Sequence, residues 1–142
     1  MIAENFATPQ DAEQAFYKAF ERADLAAMMS VWAEEDDIVC VHPGGARHTG
    51  VVEVRESWRQ ILSQGPGLQF HLVGSRVYSG RMMSIHSVYE HVTVAGETKP
   101  ANPVLATNIY VLTDRGWRML VHHASPLATA AAARETPPSV LH

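Results

Sequence analysis

Cysteine is almost missing from this chain: of 142 residues only Cys40 is one, which rules out an intrachain disulfide and any paired-cysteine metal motif. Positive charge is also in short supply, with 11 Lys and Arg against 15 Asp and Glu and a formal net charge of -4. That balance lacks the basic footprint needed to track nucleic-acid phosphates or anionic lipid, so neither is expected as a partner. No apolar run approaches the ~20 residues of a membrane-spanning helix. Residues 1–5 carry neither a basic n-region nor an apolar h-region, and the expected compartment is the cytoplasm. Internal repeats, a domain linker and strand–helix–strand alternation are absent as well, which excludes solenoids and doubly wound sheets.

What is present suits one core. An apolar content of 46% over this length needs no disulfide or metal staple, and the reading is one domain over residues 1–126 with a tail over 127–142. Thr8-Pro9-Gln10-Asp11 supplies an N-cap, a proline for the first helical position and an acid for the first turn. Ala12, Ala15, Phe16, Ala19 and Phe20 then repeat at helical spacing. Asp24 caps a second helix with the stripe Leu25, Met28, Met29 and Trp32, which the acidic run Glu34 to Asp37 ends. A short β-branched run from Ile38 finishes at His42-Pro43, and Gly44-Gly45 permits a turn. Gly50 opens a third helix carrying Val51, Val54, Trp58, Ile61 and Leu62, and Gly65-Pro66-Gly67 stops it. Residues 68–78, 82–94, 104–113 and 117–124 read as four strands of an antiparallel meander. Helices first and sheet after indicate an α+β domain with the helices on one face of the sheet.

This order sets His42 at a strand end between two helices that each carry a tryptophan, which points to a small apolar hollow with one titratable group at its mouth. Histidine titrates near pH 6.5 when unperturbed, so His42 is a candidate proton acceptor or relay, or else an ordinary strand-end residue. Ser84, His86, Val88 and Glu90 share one strand face, which faces either the hollow or the outside. His122 and His123 point to opposite faces, so only one reaches the interior and the two cannot chelate one ion. Cys40 and His42 together with His123 or His86 make a conceivable zinc set, but no His-x-x-x-His helix or paired cysteine motif supports it, and no metal is expected. Cys40 in an apolar strand reads as a small hydrophobe. Gly44-Gly45 lacks the lysine and the spacing of a phosphate loop, so no nucleotide cofactor is expected either.

The pattern Phe16-Tyr17, Ala23-Asp24-Leu25, Trp32, Asp36-Asp37, His42-Pro43, Gly50 and Trp58, followed by Gly116-Trp117-Arg118 and His122-His123, resembles the SnoaL-like branch of the nuclear transport factor 2-like superfamily. The likeness covers about residues 8–126. It implies a cone-shaped fold with three N-terminal helices packed on a strongly curved, mostly antiparallel sheet, often dimeric, that hosts isomerases, dehydratases, cyclases, hydrolases and non-catalytic binders. Against ketosteroid isomerase, the catalytic aspartate falls on His42. The oxyanion-hole tyrosine falls on Phe16, with Tyr17 one residue off, and the second, protonated aspartate falls near Asn108. Phe16 has no donor and Asn108 only a neutral one, so the match does not carry over steroid isomerisation. It does imply pocket walls at Trp32 and Trp58, an inward polar face bearing His86 and Glu90, and His123 inward in phase with Met119 and Val121.

The expected function is therefore a small apolar-molecule pocket protein, a cofactor-free isomerase, dehydratase or hydrolase. Its proton transfer is assigned to His42, with Asn108 as polarising donor and Phe16, Tyr17, Trp32, Trp58, His86, Glu90 and His123 around the substrate. The alternative is a non-catalytic ligand-binding or dimerisation module. A homodimer is expected through an outer sheet face with Met83, Ile85, Tyr89, Ile109 and the alanine-rich tail.

Overall fold

The computed structural model describes residues 5–98 and 102–128; the tail expected over 127–142 lies outside them from residue 129 onward. Helix α1 spans Pro9–Arg22, with Thr8 accepting from the Asp11 amide at 3.0 Å and Pro9 in the first turn. Helix α2 spans Leu25–Val31, capped by Asp24, which accepts from the Ala27 amide at 3.0 Å. Trp32 is not part of it. Its backbone is extended and bridges Met119, so the tryptophan leaves the helical stripe assigned to it and joins the sheet.

Strand β1 (Val39–Val41) turns through Pro43 and the glycines into β2 (Arg47–Thr49), and α3 (Gly50–Leu62) follows at once. Gly50 at φ 80° occupies a conformation that only glycine adopts freely, which makes so abrupt a strand-to-helix junction possible. Strand β2 is invisible in the sequence because Arg-His-Thr has no apolar alternation; pairing with β1 alone makes it a strand. The meander is β3 (Leu68–Ser79), β4 (Met83–Val94), β5 (Val104–Thr113) and β6 (Gly116–Pro126). Among the described residues the six strands are ordered β2-β1-β6-β5-β4-β3, all antiparallel except the β1–β6 pair. The helices pack on one face of this sheet.

A bulge in β6 decides which histidine faces inward. Ile109 pairs with Val121 and Tyr110 with Met119, so Leu120 is the extra residue. Met119 is buried on the near side of it; beyond it the phase is reversed, so His122 and Ala124 are buried while His123 is exposed. The inward placement expected for His123 is thus corrected to His122. On β4 no such irregularity intervenes, and Ser84, His86, Val88 and Glu90 all face the core.

Aromatic side chains fill the middle of the space between helices and sheet. Trp58 meets Phe16 edge-on at 5.4 Å and Phe20 at 4.9 Å, Phe20 lies 4.5 Å from Phe70, and Phe70 lies 5.3 Å from Tyr17. Such offset and edge-to-face pairs add about 0.5–1.5 kcal/mol each beyond their area. Trp32 and Trp58 both lie in the core cluster instead of walling one hollow between them, and among the described residues open space lies on either side of this aromatic plug. Among the described residues no helix is long and apolar enough to cross a membrane.

Candidate functional site

The larger space is a cleft of about 740 Å³ between α1 and β3, lined by Phe6, Glu13, Tyr17, Lys18, Phe70 and Leu72 among others. Glu13 and Tyr17 sit four residues apart on α1 and therefore share a face, and His86 and Glu90 share the inward face of β4. The two elements meet residue by residue: Glu13 reaches His86 and Tyr17 reaches Glu90.

Behind Tyr17 runs a buried hydrogen-bond chain. His122 Nδ1 lies 2.6 Å from Asn108 Oδ1, Asn108 Nδ2 donates to the Tyr17 hydroxyl at 2.9 Å, and that hydroxyl donates to Glu90 Oε2 at 2.6 Å. Burial pushes the His122 imidazole down to about 3, helped by His42 and His123, so the ring is neutral. An amide oxygen cannot donate, so His122 Nδ1 carries the proton in this arrangement. Burial and the Glu90 charge raise Tyr17 well above its ordinary value, which keeps it a phenol. Burial also raises the Glu90 carboxyl to about 7; the Tyr17 hydrogen bond opposes that shift and the negative charge of Glu13 adds to it. A carboxyl group 3% exposed thereby titrates near neutrality.

A second chain supports Glu13. Ser84 Oγ is 2.9 Å from His86 Nε2, His86 Nδ1 is 3.0 Å from Glu13 Oε2, and the Tyr110 hydroxyl donates to the same oxygen at 3.3 Å. The order Ser–His–Glu is that of a nucleophilic triad, but Ser84 is fully buried, lines none of the clefts described here and also reaches the Tyr78 carbonyl at 3.2 Å. Its role is to hold His86 and, through it, Glu13.

His42 lies elsewhere. It closes β1, half-buried, with its ring edge-to-face on Trp58 at 4.6 Å, and it lines a separate cleft of about 390 Å³ with His48, Glu53, Ser57 and Ile61. His42 Nε2 is 3.1 Å from Ser57 Oγ, whose own proton goes to the Val54 carbonyl at 2.8 Å, so the imidazole donates to the serine. Burial lowers His42 to about 4, with His48 adding to the effect, so the ring is neutral at physiological pH. Burial likewise pushes the Cys40 thiol, 3.6 Å away, up to about 12. A neutral imidazole beside a protonated thiol is the reverse of a nucleophilic Cys–His pair.

His42 and Asn108, expected to act on one substrate, are not hydrogen-bonded to each other. Both ends of the Asn108 amide are taken by Tyr17 and His122, and the His122 ring centroid stands 6.5 Å from that of His42. Phe16 is in the core against His122 at 4.9 Å rather than on a cleft wall. Trp32 lines a third, small cleft of about 170 Å³ with Glu34, Arg115 and Arg118, apart from the other site residues. Among the described residues the buried indole N–H of Trp32 has no hydrogen-bond partner. Among the described residues no group of three or more His, Cys, Asp or Glu is placed to hold a metal ion.

Sequence reasoning named Tyr17, His86, Glu90, Asn108 and His42 but missed Glu13, Ser57 and His122. Glu13 had a signal, its four-residue spacing from Tyr17 on a helix whose apolar stripe it interrupts. Ser57, beside Trp58, had none of comparable strength, and His122 was hidden by the bulge.

Three N-terminal helices on a six-stranded, mostly antiparallel sheet define an α+β protein of the NTF2-like, cystatin-like fold. Within that class the chain belongs to the SnoaL-like domain family, whose model matches residues 10–129. It is 42% identical to a candidate calcium/calmodulin-dependent protein kinase type II association domain from Thiobacillus denitrificans ATCC 25259, covering 86% of this chain and 97% of that one at a TM-score of 0.78. It is 30% identical to a candidate dehydratase of the NTF2-like family from Streptomyces avermitilis, covering 83% and 92% at a TM-score of 0.74. Among curated proteins it is 28% identical over 112 residues to the F-box protein SKIP8 of Arabidopsis thaliana, covering 78% of this chain and 46% of that protein. The chain thus spans about half the length of that curated relative.

Proposed function

We propose that the 740 Å³ cleft binds a small molecule with an apolar body and a polar head, and that Tyr17 and Glu90 move a proton to or from it without a cofactor. The observation that carries this reading is Tyr17 itself: it lines the cleft and its hydroxyl donates to a buried carboxylate at 2.6 Å. With Glu90 protonated, Tyr17 gives its proton to an oxygen of the bound molecule and takes one back from Glu90. With Glu90 ionised, a proton from the bound molecule passes to the Tyr17 oxygen as the phenol proton moves to Glu90. Either way one proton is exchanged between ligand and carboxylate, and a group that titrates near 7 offers both directions at neutral pH. Isomerisation or dehydration next to a carbonyl needs this chemistry, and the resemblance to a candidate dehydratase supports it.

The test is a panel of β-hydroxy ketones and β,γ-unsaturated ketones, followed by the ultraviolet absorbance of the conjugated enone product. Turnover by the wild type should fall roughly 10²–10⁴-fold in Tyr17→Phe and in Glu90→Gln. Turnover that is unchanged in both variants would sink the assignment. Ligand binding in the cleft without turnover of any substrate would favour the non-catalytic module.

A second reading keeps His42 as the base, favoured by its neutral, half-buried imidazole on the 390 Å³ cleft. It requires activity to fall in His42→Ala and survive in Glu90→Gln. We also propose a homodimer. Tyr78, Met82, Met83 and Leu112 are exposed apolar side chains near the β3–β4 turn, a surface that pairing with a second copy would cover. A one-chain mass in light scattering at micromolar concentration would refute it.

A further inference from the structure

We infer that Asn108 and His122 are positioning residues for Glu90, joined to it by a hydrogen-bond chain that reverses direction when Glu90 takes up a proton. The inference rests on the reading of Glu90 as the group that gains and loses a proton.

Each link of the chain His122–Asn108–Tyr17–Glu90 is buried, and the three distances are 2.6, 2.9 and 2.6 Å. In the ionised state every member donates toward the carboxylate: the ring N–H to the amide oxygen, the amide N–H to the phenol oxygen, the phenol O–H to Glu90. The Tyr17 hydroxyl has one proton, so it cannot serve two acceptors. When no molecule is bound and Glu90 Oε2 carries a proton and donates to the phenol oxygen, the phenol proton turns toward Asn108. Asn108 then has to present its oxygen, and a half-turn of the amide accomplishes this at almost no steric cost because its O and N are nearly the same size. The amide N–H now faces His122 Nδ1, which must accept, and the ring proton moves to Nε2. Charge at Glu90 is thereby converted into a tautomer change at His122, three hydrogen bonds away, with no change in the charge of the histidine.

The surroundings leave Glu90 as the switch. Helix α1 presents Glu13 and Tyr17 to it, its own strand His86, and β5 Tyr110 beside Glu13. Strand β3 places the apolar Leu72 opposite Glu90. At the far end His122 meets His42, which follows β1, and His123 lies on the other face of β6; both His122 and His42 are neutral from pH 5 to 9. Tyr17 and Tyr110 are held well above neutrality.

The experiment is long-range proton–nitrogen NMR of the His122 ring in ¹⁵N-labelled protein from pH 5 to 9, read beside the ¹³C signal of the Glu90 carboxyl. The expected result is that Nδ1 and Nε2 exchange protonated and unprotonated character with the midpoint of the Glu90 titration, without an imidazolium signature. Glu90→Gln, nearly isosteric, should hold one tautomer at every pH, and Tyr17→Phe should cut His122 off from the carboxyl titration. Asn108→Leu, which removes the donor behind Tyr17, should move the Glu90 midpoint upward. A His122 tautomer that stays fixed while Glu90 titrates overturns this inference and leaves the proposed function standing. A Glu90 carboxyl that does not titrate between pH 5 and 9 overturns both. A pH-dependent tautomer that persists in Glu90→Gln overturns the link between the two residues.

Discussion

Glu90 and His42 sit on opposite sides of the aromatic plug, and burial acts on both in the direction of neutrality. For the carboxyl that means a rise to about 7, for the imidazole a fall to about 4. The same physical cause therefore poises one group at physiological pH and locks the other in its neutral form. His42 is where the resemblance to ketosteroid isomerase would put a catalytic aspartate, and burial at that point would push an aspartate up toward pH 7, as it does Glu90. A histidine at that point is pushed away from it. The difference teaches that a catalytic position is not transferable without the charge type that its environment tunes.

Removing the plug is the strongest way to break this contrast. Trp58→Ala should cost roughly 3–5 kcal/mol, because a fully buried indole in contact with Phe16, Phe20 and His42 leaves a cavity. Denaturant unfolding checks it, and the His42 titration in the folded variant should move back toward 6.5 as solvent enters.

Next in size is the pH dependence of stability. Glu90 is raised from 4.5 in the unfolded chain to about 7 in the fold, so its contribution is complete below pH 4.5 and is lost as pH rises through 7, roughly 3 kcal/mol over that span. His42 and His122 are lowered from 6.5 to about 4 and about 3, so their contribution is complete above 6.5 and is lost as pH falls through those values. Two histidines outweigh one carboxyl below 6.5, and these three groups together place maximum stability near pH 6.5. Glu90→Gln should steepen the rise between pH 4.5 and 6.5, where the carboxyl opposes the two histidines, and remove the decline between 6.5 and 8; an unchanged profile would show that the carboxyl does not titrate in the fold. The smallest effect is expected at His42. His42→Ala should cost roughly 1–2 kcal/mol through the lost Ser57 bond and Trp58 contact, with no change in any activity or binding profile between pH 6 and 8. A profile that moved would return His42 to the centre of the mechanism.

Much of the fold could be read along the chain because its signals are local. Thr8-Pro9 and Asp24 cap the first two helices where expected, Gly50 opens the third, and the four meander strands fall within a few residues of their sequence limits. Strand β2 and the departure of Trp32 from α2 were not legible, since each is decided by a partner strand rather than by its own residues. Of the candidate site, the inward face of β4 was half legible: alternation grouped His86 with Glu90 but did not say which way the group points.

The sequence by itself determined the three helices, β1, the four meander strands and the α+β class, and grouped His86 with Glu90, because caps, turns and hydrophobic period act over a few neighbours. Only the tertiary structure decided that His122 and not His123 faces inward, that Phe16 and Trp58 fill the interior, and that Glu90 and not His42 titrates near neutrality. A one-residue bulge reverses a strand face, and a pKa follows desolvation and charges brought from residues far along the sequence, as Glu13 acts on Glu90. Neither is written in the neighbourhood of the residue it governs.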